Sequence, residues 1–306
     1  MGNLLEIGVA TYTDGPYYNL VFSERLHLGF YAAKNLLRLA RAFAATRRVI
    51  GDLMMFYDAP PNPDSDSIAH LFPSPLAVPT YTGLVPSLTF MRRLSRSGDF
   101  VVLAEDEITR QSGIYLATMA RPPSADEDMV MSSSRDLLAD TSEVIVKFTA
   151  QYHPEAHRIL AAEGFAPELH ACVPVCGGLF MVVMDLVYGT RACDLVHLNE
   201  AIPYDVYKDI HDAITLLHSN NLVFGDLRTP NMMVVPGTPG SDARCRGMLI
   251  DFDWVGSHGI ARYPASLNDD LQDWVSGIQR YGIMDKAHDL ELLNKFKDQC
   301  RLVELP

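Results

Sequence analysis

Five side chains, met in chain order, carry the chemistry this sequence suggests: Lys147 in VIVKF, Glu155 in HPEAH, Asp226 and Asn231 in GDLRTPN, and Asp251 in LIDFDW. Phosphoryl transfer asks little covalent chemistry of a protein but much positioning and charge neutralisation. It needs a lysine for the α/β-phosphates, a carboxylate to hold that lysine, a carboxylate near the attacking hydroxyl, and two oxygen ligands for Mg²⁺. The five residues supply these parts in that order. Taken singly they are ordinary: Asp226 and Asn231 are common turn residues, Lys147 a solvated strand residue, and Glu155 a helix carboxylate near a positive helix end. The ordered set, not any one member, points to the chemistry.

Bringing them together requires a strand under Lys147, a helix under Glu155, and strands around the GDLRTPN loop. DFVVLAE, GIYLATMA and SEVIVKFTA are short β-branched runs bounded by Gly, Ser, Asp or Pro, which predicts strands. YHPEAHRILAAEGFAP predicts a helix with Pro154 in its first turn and Gly164 as its stop. ELHACVPV and GLFMVVMDLV predict two further strands. In PYDVYKDIHDAITLLHSNN, residues Val206, Ile210, Ala213, Ile214 and Leu217 keep helical spacing and lead directly into LVFGDLRTPNMMVV. RGMLIDFDWVG then supplies a strand ending at Asp251. Upstream, residues 22–57 predict one long helix, or two broken near Gly51. Pro60, Pro61, Pro63, Pro73, Pro75, Pro79 and Pro86 next exclude a continuous helix or central strand and predict a linker or surface-draped loop. RPPSADEDMVMSSSRDLLADT predicts a polar, mobile loop.

The chain of 306 residues is 48% apolar, enough for a proper core, and its 25 basic against 38 acidic residues give a formal net charge of −13. That balance lacks the basic footprint of a nucleic-acid binder. Five scattered cysteines make neither a disulfide framework nor a paired zinc pattern, which predicts a reducing, intracellular compartment, cytoplasmic or nuclear. No signal peptide and no membrane span are expected. His153 and His157 stand one helical turn apart but lack the H-E-x-x-H pattern of a zincin, so no metal is expected there.

FGDLRTPN resembles the catalytic loop, and LIDFDW the metal-binding D-F-G turn, of protein-kinase-like folds. With VIVKFTAQYHPEAHRILA and ARYPASLN, these segments together resemble the fungal-type protein kinase domain over residues 84–293. The resemblance implies an α+β, two-lobed fold: a small antiparallel-sheet N-lobe with one helix (84–188) and a mostly helical, shortened C-lobe (189–306). A helical N-terminal extension with a Pro-rich linker (1–83) precedes them. It further implies that Lys147 binds ATP phosphates and pairs with Glu155, that Asp226 orients the acceptor hydroxyl, and that Asn231 and Asp251 hold Mg²⁺. Arg228 would stand near the transferred phosphoryl. VVMDLV resembles the hinge, with Met184 as gatekeeper and backbone groups of Asp185 and Val187 facing adenine. Asp289 matches a buried aspartate of a central C-lobe helix.

Three features depart from the family pattern. Phe224 stands in place of a histidine, Asp253 replaces the glycine of D-F-G, and no G-x-G-x-x-G loop is present, with only Gly98 and Gly113 near its place. The expectation is therefore an ATP- and Mg²⁺-dependent phosphotransferase acting on Ser or Thr hydroxyls of a protein. A small-molecule kinase of the aminoglycoside- or choline-kinase type, suggested by Asp253 as a supporting carboxylate, and a non-catalytic pseudokinase scaffold remain as alternatives on the residues alone.

Overall fold

The structure, a computed structural model, describes residues 4–12, 16–25, 33–58, 72–94, 113–120, 141–237, 244–265, 267 and 274–301. The chain divides into two compact units, the second opening at Ser74. In the first, strands β1 (Leu4–Tyr12) and β2 (Pro16–Arg25) pair antiparallel with a register shift at Ile7/Gly8, and helix α1 (Ala33–Asp58) follows. The helical N-terminal extension therefore also carries a strand pair that the sequence reading does not include. Residues 22–25, expected in the helix, belong to β2, because pairing with β1 supplies backbone partners that local helix propensity does not weigh. The helix itself is single and runs through Gly51 without a break.

The second unit holds strands β3 (Leu88–Leu94), β4 (Ile114–Ala120) and β5 (Thr141–Thr149), helix α2 (Pro154–Ala162), and strands β6 (Leu169–Val175) and β7 (Leu179–Asp185). They form one antiparallel sheet in the order β3-β4-β5-β7-β6, with α2 inserted between its third and fourth strands along the chain. Val144 and Val146 on one face of β5 are fully buried, and Lys147 and Thr149 share the opposite face by the two-residue period of a strand. Strand β3 goes beyond the sequence reading, which saw only the prolines upstream of it. The Pro-rich segment is draped rather than free where it is described: Val78 N donates to Pro174 O, and Cys176 N to Leu76 O, along the edge of β6. DFVVLAE, most of the acidic RPPSADEDMVMSSSRDLLADT segment and the stretch between β3 and β4 lie outside the described residues.

Beyond β7 come β8 (Thr190–Arg191), α3 (Ala192–His197), β9 (Ile202–Pro203), α4 (Tyr204–Ser219) and β10 (Leu222–Val223). After a single 3₁₀ turn, Thr229–Asn231, follow β11 (Met232–Val235), β12 (Arg246–Leu249), β13 (Gly256–Ser257), α5 (Lys286–Gln299) and β14 (Cys300–Arg301). The α+β order the motifs imply is thus present: an antiparallel sheet with one helix, then a part that, among the described residues, interleaves three helices with short strands and is less helical than expected. Helix α4 buries Val206, Ile210, Ala213, Ile214 and Leu217, the residues whose spacing predicted it. Helix α2 starts at Pro154 and is stopped by Gly164 at φ +73°, also as its sequence predicts.

Asp289 on α5 is fully buried and accepts hydrogen bonds from Phe224 N at 2.8 Å, Gly225 N at 3.0 Å and His218 Nε2 at 3.0 Å. It thereby fixes the start of the GDLRTPN loop from a helix 64 residues away in sequence. Gly225 sits at φ +82°, and a Cβ there would run into Met284 Cε and lie 3.2 Å from Trp254 O, so this turn requires glycine. Replacing Asp289 by Ala strands two buried N–H donors and should cost roughly 3–5 kcal/mol, measured by equilibrium denaturation.

Candidate active site

The loop between β10 and β11 is closed by its own backbone: Arg228 N donates to Asp226 O and Asn231 N to Arg228 O, each at 2.9 Å. Asn231 Nδ2 donates to Asp226 O at 2.9 Å, and Ile250 N to Asn231 O at 3.0 Å. The second bond stitches the loop to the turn that carries Asp251. Asp226 and Asn231 are thus built into one rigid unit with Asp251. The Arg228 guanidinium meets Asp226 with two nitrogens, Nε to Oδ1 and Nη2 to Oδ2, the latter at 2.9 Å, and stacks 4.5 Å from the Trp274 ring centroid. A planar fork on a carboxylate and an aromatic face is a geometry lysine cannot reproduce. Trp274 in turn stacks on Trp254, with ring centroids 5.8 Å apart.

Lys147 Nζ lies 2.8 Å from Asp251 Oδ1 and 2.9 Å from Asp253 Oδ2. Thr149 Oγ1 donates to the same Asp253 oxygen at 2.8 Å, and Asp253 N to Asp251 Oδ1 at 3.4 Å. The structure does not bring Lys147 and Glu155 together, contrary to expectation. Glu155 lies in the first turn of α2, is largely exposed, and pairs with Arg158 one turn later at 2.6 Å. Helix α2 turns His157 inward instead of a carboxylate. That ring is fully buried, stacks flat on Phe252 at 4.4 Å, and bonds Tyr152 OH at 2.7 Å and Pro167 O at 2.8 Å. Burial, the largest effect, lowers its pKa to about 4, which keeps the ring neutral. His153 N donates to Phe252 O, and His153 Nδ1 caps α2 by accepting from Ala156 N, so neither histidine of HPEAH is set up as a metal ligand.

Met184 is buried on β7 opposite Ile145, at the end of the strand where a gatekeeper is expected. The Asp185 N–H is committed to Glu168 O at 3.0 Å, and its carboxylate to His170 at 2.6 Å, so its amide is not open to a ligand. Val187 is half-buried in the segment after β7. Phe224, in place of a histidine, is fully buried edge-on to Phe252 at 5.7 Å, filling an anchor position by packing. Tyr263 is buried, bonds His288 on α5 at 2.9 Å and packs on Trp254, and Arg262 Nη1 donates to Tyr281 O. ARYP therefore fastens the segment after Asp253. Sequence reasoning weighed His157 only as a possible metal ligand and missed Thr149 and Trp274 altogether. Only Thr149 left a signal, its place two residues beyond Lys147 on the same strand face.

Among the described residues no cluster of three His, Cys, Asp or Glu side chains forms a ready metal site. Two carboxylates and the Asn231 amide nevertheless offer oxygen ligands, the donors a hard divalent cation takes. Asp253 Oδ1 is buried and has no hydrogen-bond partner, and two acidic groups share a single ammonium. The donor set fits a hard divalent cation such as Mg²⁺, which Asp251 and Asn231 would hold, with Asp253 beside them.

No family model matches the chain, and no curated protein matches it. Among solved structures it is similar to the kinase PK-1 of Cydia pomonella granulovirus, at 14% identity and a TM-score of 0.45, over 69% of this chain and 67% of that one. It is also similar to the Rad53 kinase domain with SCD2 in complex with AMPPNP, at 16% identity and a TM-score of 0.32. That second overlap spans about half of each chain, 49%. Neither overlap is close enough to decide the chemistry of this chain.

The shared ammonium splits the two carboxylates. For Asp253, burial, then the neighbouring Asp251 charge, push the pKa up to about 6, only partly offset by Lys147 and Thr149. For Asp251, burial pushes upward, but the Lys147 charge and hydrogen bonds from Lys147 and Asp253 prevail and hold it below its ordinary value. A raised carboxyl favours the fold while protonated. Its contribution is therefore present at low pH and is lost as pH rises from 3.8 to about 6. Asp251 contributes in the opposite sense, above 3.8, and is lost as pH falls. Carboxyl-carbon NMR should find Asp253 titrating near 6 and Asp251 well below it. Asp253→Asn should remove this carboxyl's loss of stability between pH 4 and 6, so that the melting temperature rises more steeply with pH there than in the wild-type protein, where buried His157 acts in the opposite sense.

Proposed function

We propose that this chain is an ATP- and Mg²⁺-dependent phosphotransferase of the protein-kinase-like kind, transferring the γ-phosphate to Ser or Thr hydroxyls. The fungal-type resemblance of its motifs belongs to the same reading. The observation that carries it is that Lys147 from β5 meets Asp251 at 2.8 Å, while the loop holding Asp226, Arg228 and Asn231 is bonded through Asn231 O to Ile250 N, the residue before Asp251.

In this reading Lys147 presents its ammonium to the α/β-phosphates, and its burial strengthens that interaction over one in water. Asp226 accepts a hydrogen bond from the acceptor hydroxyl, aligns its oxygen for in-line attack and takes up its proton as the bond to the γ-phosphorus forms and the bond from that phosphorus to the β–γ bridging oxygen breaks, with ADP as the leaving group. Arg228 stands beside Asp226 and supplies positive charge where the transferred group gathers negative charge. Asn231 and Asp251 would hold Mg²⁺, with Asp253 as a supporting carboxylate, and the bound ion would supply charge neutralisation at the phosphate oxygens. Met184 lines the back of the adenine site, where hydrogen bonding is left to the Asp185 carbonyl and the backbone at Val187. An acidic protein accommodates a polyanion in this way because a bound divalent cation, together with Lys147 and Arg228, would outweigh the three carboxylates of the site.

Asp226→Ala should lower γ-phosphate transfer to a Ser/Thr peptide panel by roughly 10²–10⁴-fold, with a melting temperature close to wild type. Equal turnover in the two proteins would sink the assignment. Mg-ATP at about 100 times its Kd should stabilise the wild-type fold by about 2.7 kcal/mol. Lys147→Met should abolish most of that shift in a thermal-shift titration.

A further inference from the structure

We propose that Asp253, held by Thr149, is the carboxylate that positions Lys147, a task the sequence motifs assign to Glu155 on α2. The inference rests on the phosphotransferase reading only for what Lys147 does. The anchoring itself is a matter of geometry.

Three observations carry it. First, the spacing matches: Lys147 and Thr149 stand two apart on one face of β5, Asp251 and Asp253 two apart on the turn after β12, and the two hydrogen bonds link residues 104 apart in the same register. A K-x-T strand thus meets a D-x-D turn rung by rung, with Lys147 reaching across to the second rung at 2.9 Å. Second, access differs between the carboxylates. The Asp251 side chain is 38% exposed and the Asp253 side chain 20%, against 12% for Lys147. The more open carboxylate is the one a ligand reaches, and the enclosed one stays with the lysine. Third, α2 spends its inward face on apolar contacts and a neutral histidine, while Glu155 is engaged by Arg158 outside.

The consequence is a division of labour between two acids. Asp251 can exchange Lys147 for an incoming cation, and the lysine remains held by Asp253 Oδ2, whose rotamer Thr149 fixes. In a D-F-G turn the glycine offers no such second oxygen. The aspartate at position 253 therefore supplies from the turn what a helix glutamate supplies elsewhere, and Lys147 keeps its place irrespective of where α2 sits.

The test reads the lysine directly, in the full-length protein without nucleotide or metal. The rate of Lys147 acylation by an amine-selective reagent, followed by mass spectrometry across a pH series, gives the midpoint of its titration. Asp253→Asn should lower that midpoint and raise labelling at fixed pH roughly tenfold, the change a one-unit fall in pKa produces. Thr149→Val, which keeps all charges, should shift it in the same direction by less, and Glu155→Gln should leave it where it is. A shift in Glu155→Gln, or none in Asp253→Asn, overturns the proposal. Should Asp253→Asn fail to fold, an unchanged midpoint in Thr149→Val overturns it, and a lowered one supports it. Protection of wild-type Lys147 by Mg-ATP tests the phosphotransferase reading separately, and its absence would leave the anchoring intact.

Discussion

One buried ammonium between two carboxylates is the constraint on which the site depends. Lys147 lies within 3 Å of both Asp251 and Asp253, and the three side chains together carry an excess negative charge, with the lysine and Asp253 largely withdrawn from water and Asp251 more open to it. Low dielectric makes each attraction strong and the carboxylate–carboxylate repulsion equally strong. The site resolves this by pulling the two pKa values apart, one carboxyl raised and the other lowered. A further positive charge would relieve it fully, which is why the arrangement suits a cation arriving with a polyanionic nucleotide.

Packing rather than charge holds that triad, from two sides. Phe252, between the two aspartates, is fully buried and contacts Phe224 edge-on, His157 face-on and Tyr152 edge-on. One aromatic cluster therefore joins the GDLRTPN loop, the D-F-D turn and α2. Asp289 clamps the other side of the loop through two backbone amides. The polar residues at the surface of the site can be few because their backbone is fixed by groups that water does not reach. Phe224 fits this arrangement: where a histidine would anchor by hydrogen bonding, a phenylalanine anchors by filling space, and the backbone donors it leaves are taken by Asp289.

Much of this was legible in the sequence. The strand under Lys147, the helix between Pro154 and Gly164, the α4 stripe and the polar loop after it all formed where local pattern put them, because periodicity and caps act over a few residues. The N-terminal hairpin was not read, although Tyr12 and Pro16 bracket a Thr-Asp-Gly stretch of turn residues between β-branched and aromatic runs. There the helical character of the residues after Arg25 was extended too far back.

The sequence by itself determined which residues could meet: Lys147, Asp226, Asn231 and Asp251, with the order of elements needed to carry them. Only the tertiary structure decided who pairs with whom. Glu155 and Asp253 are both acidic and both near a motif, and nothing local separates them. Pairing is settled by the register of β5 against a turn 104 residues away and by the face α2 turns inward, where His157 and the buried aliphatics outcompete a carboxylate that would lose its hydration. Burial selects the apolar face of the helix, and that selection leaves Glu155 outside and gives the lysine to the turn.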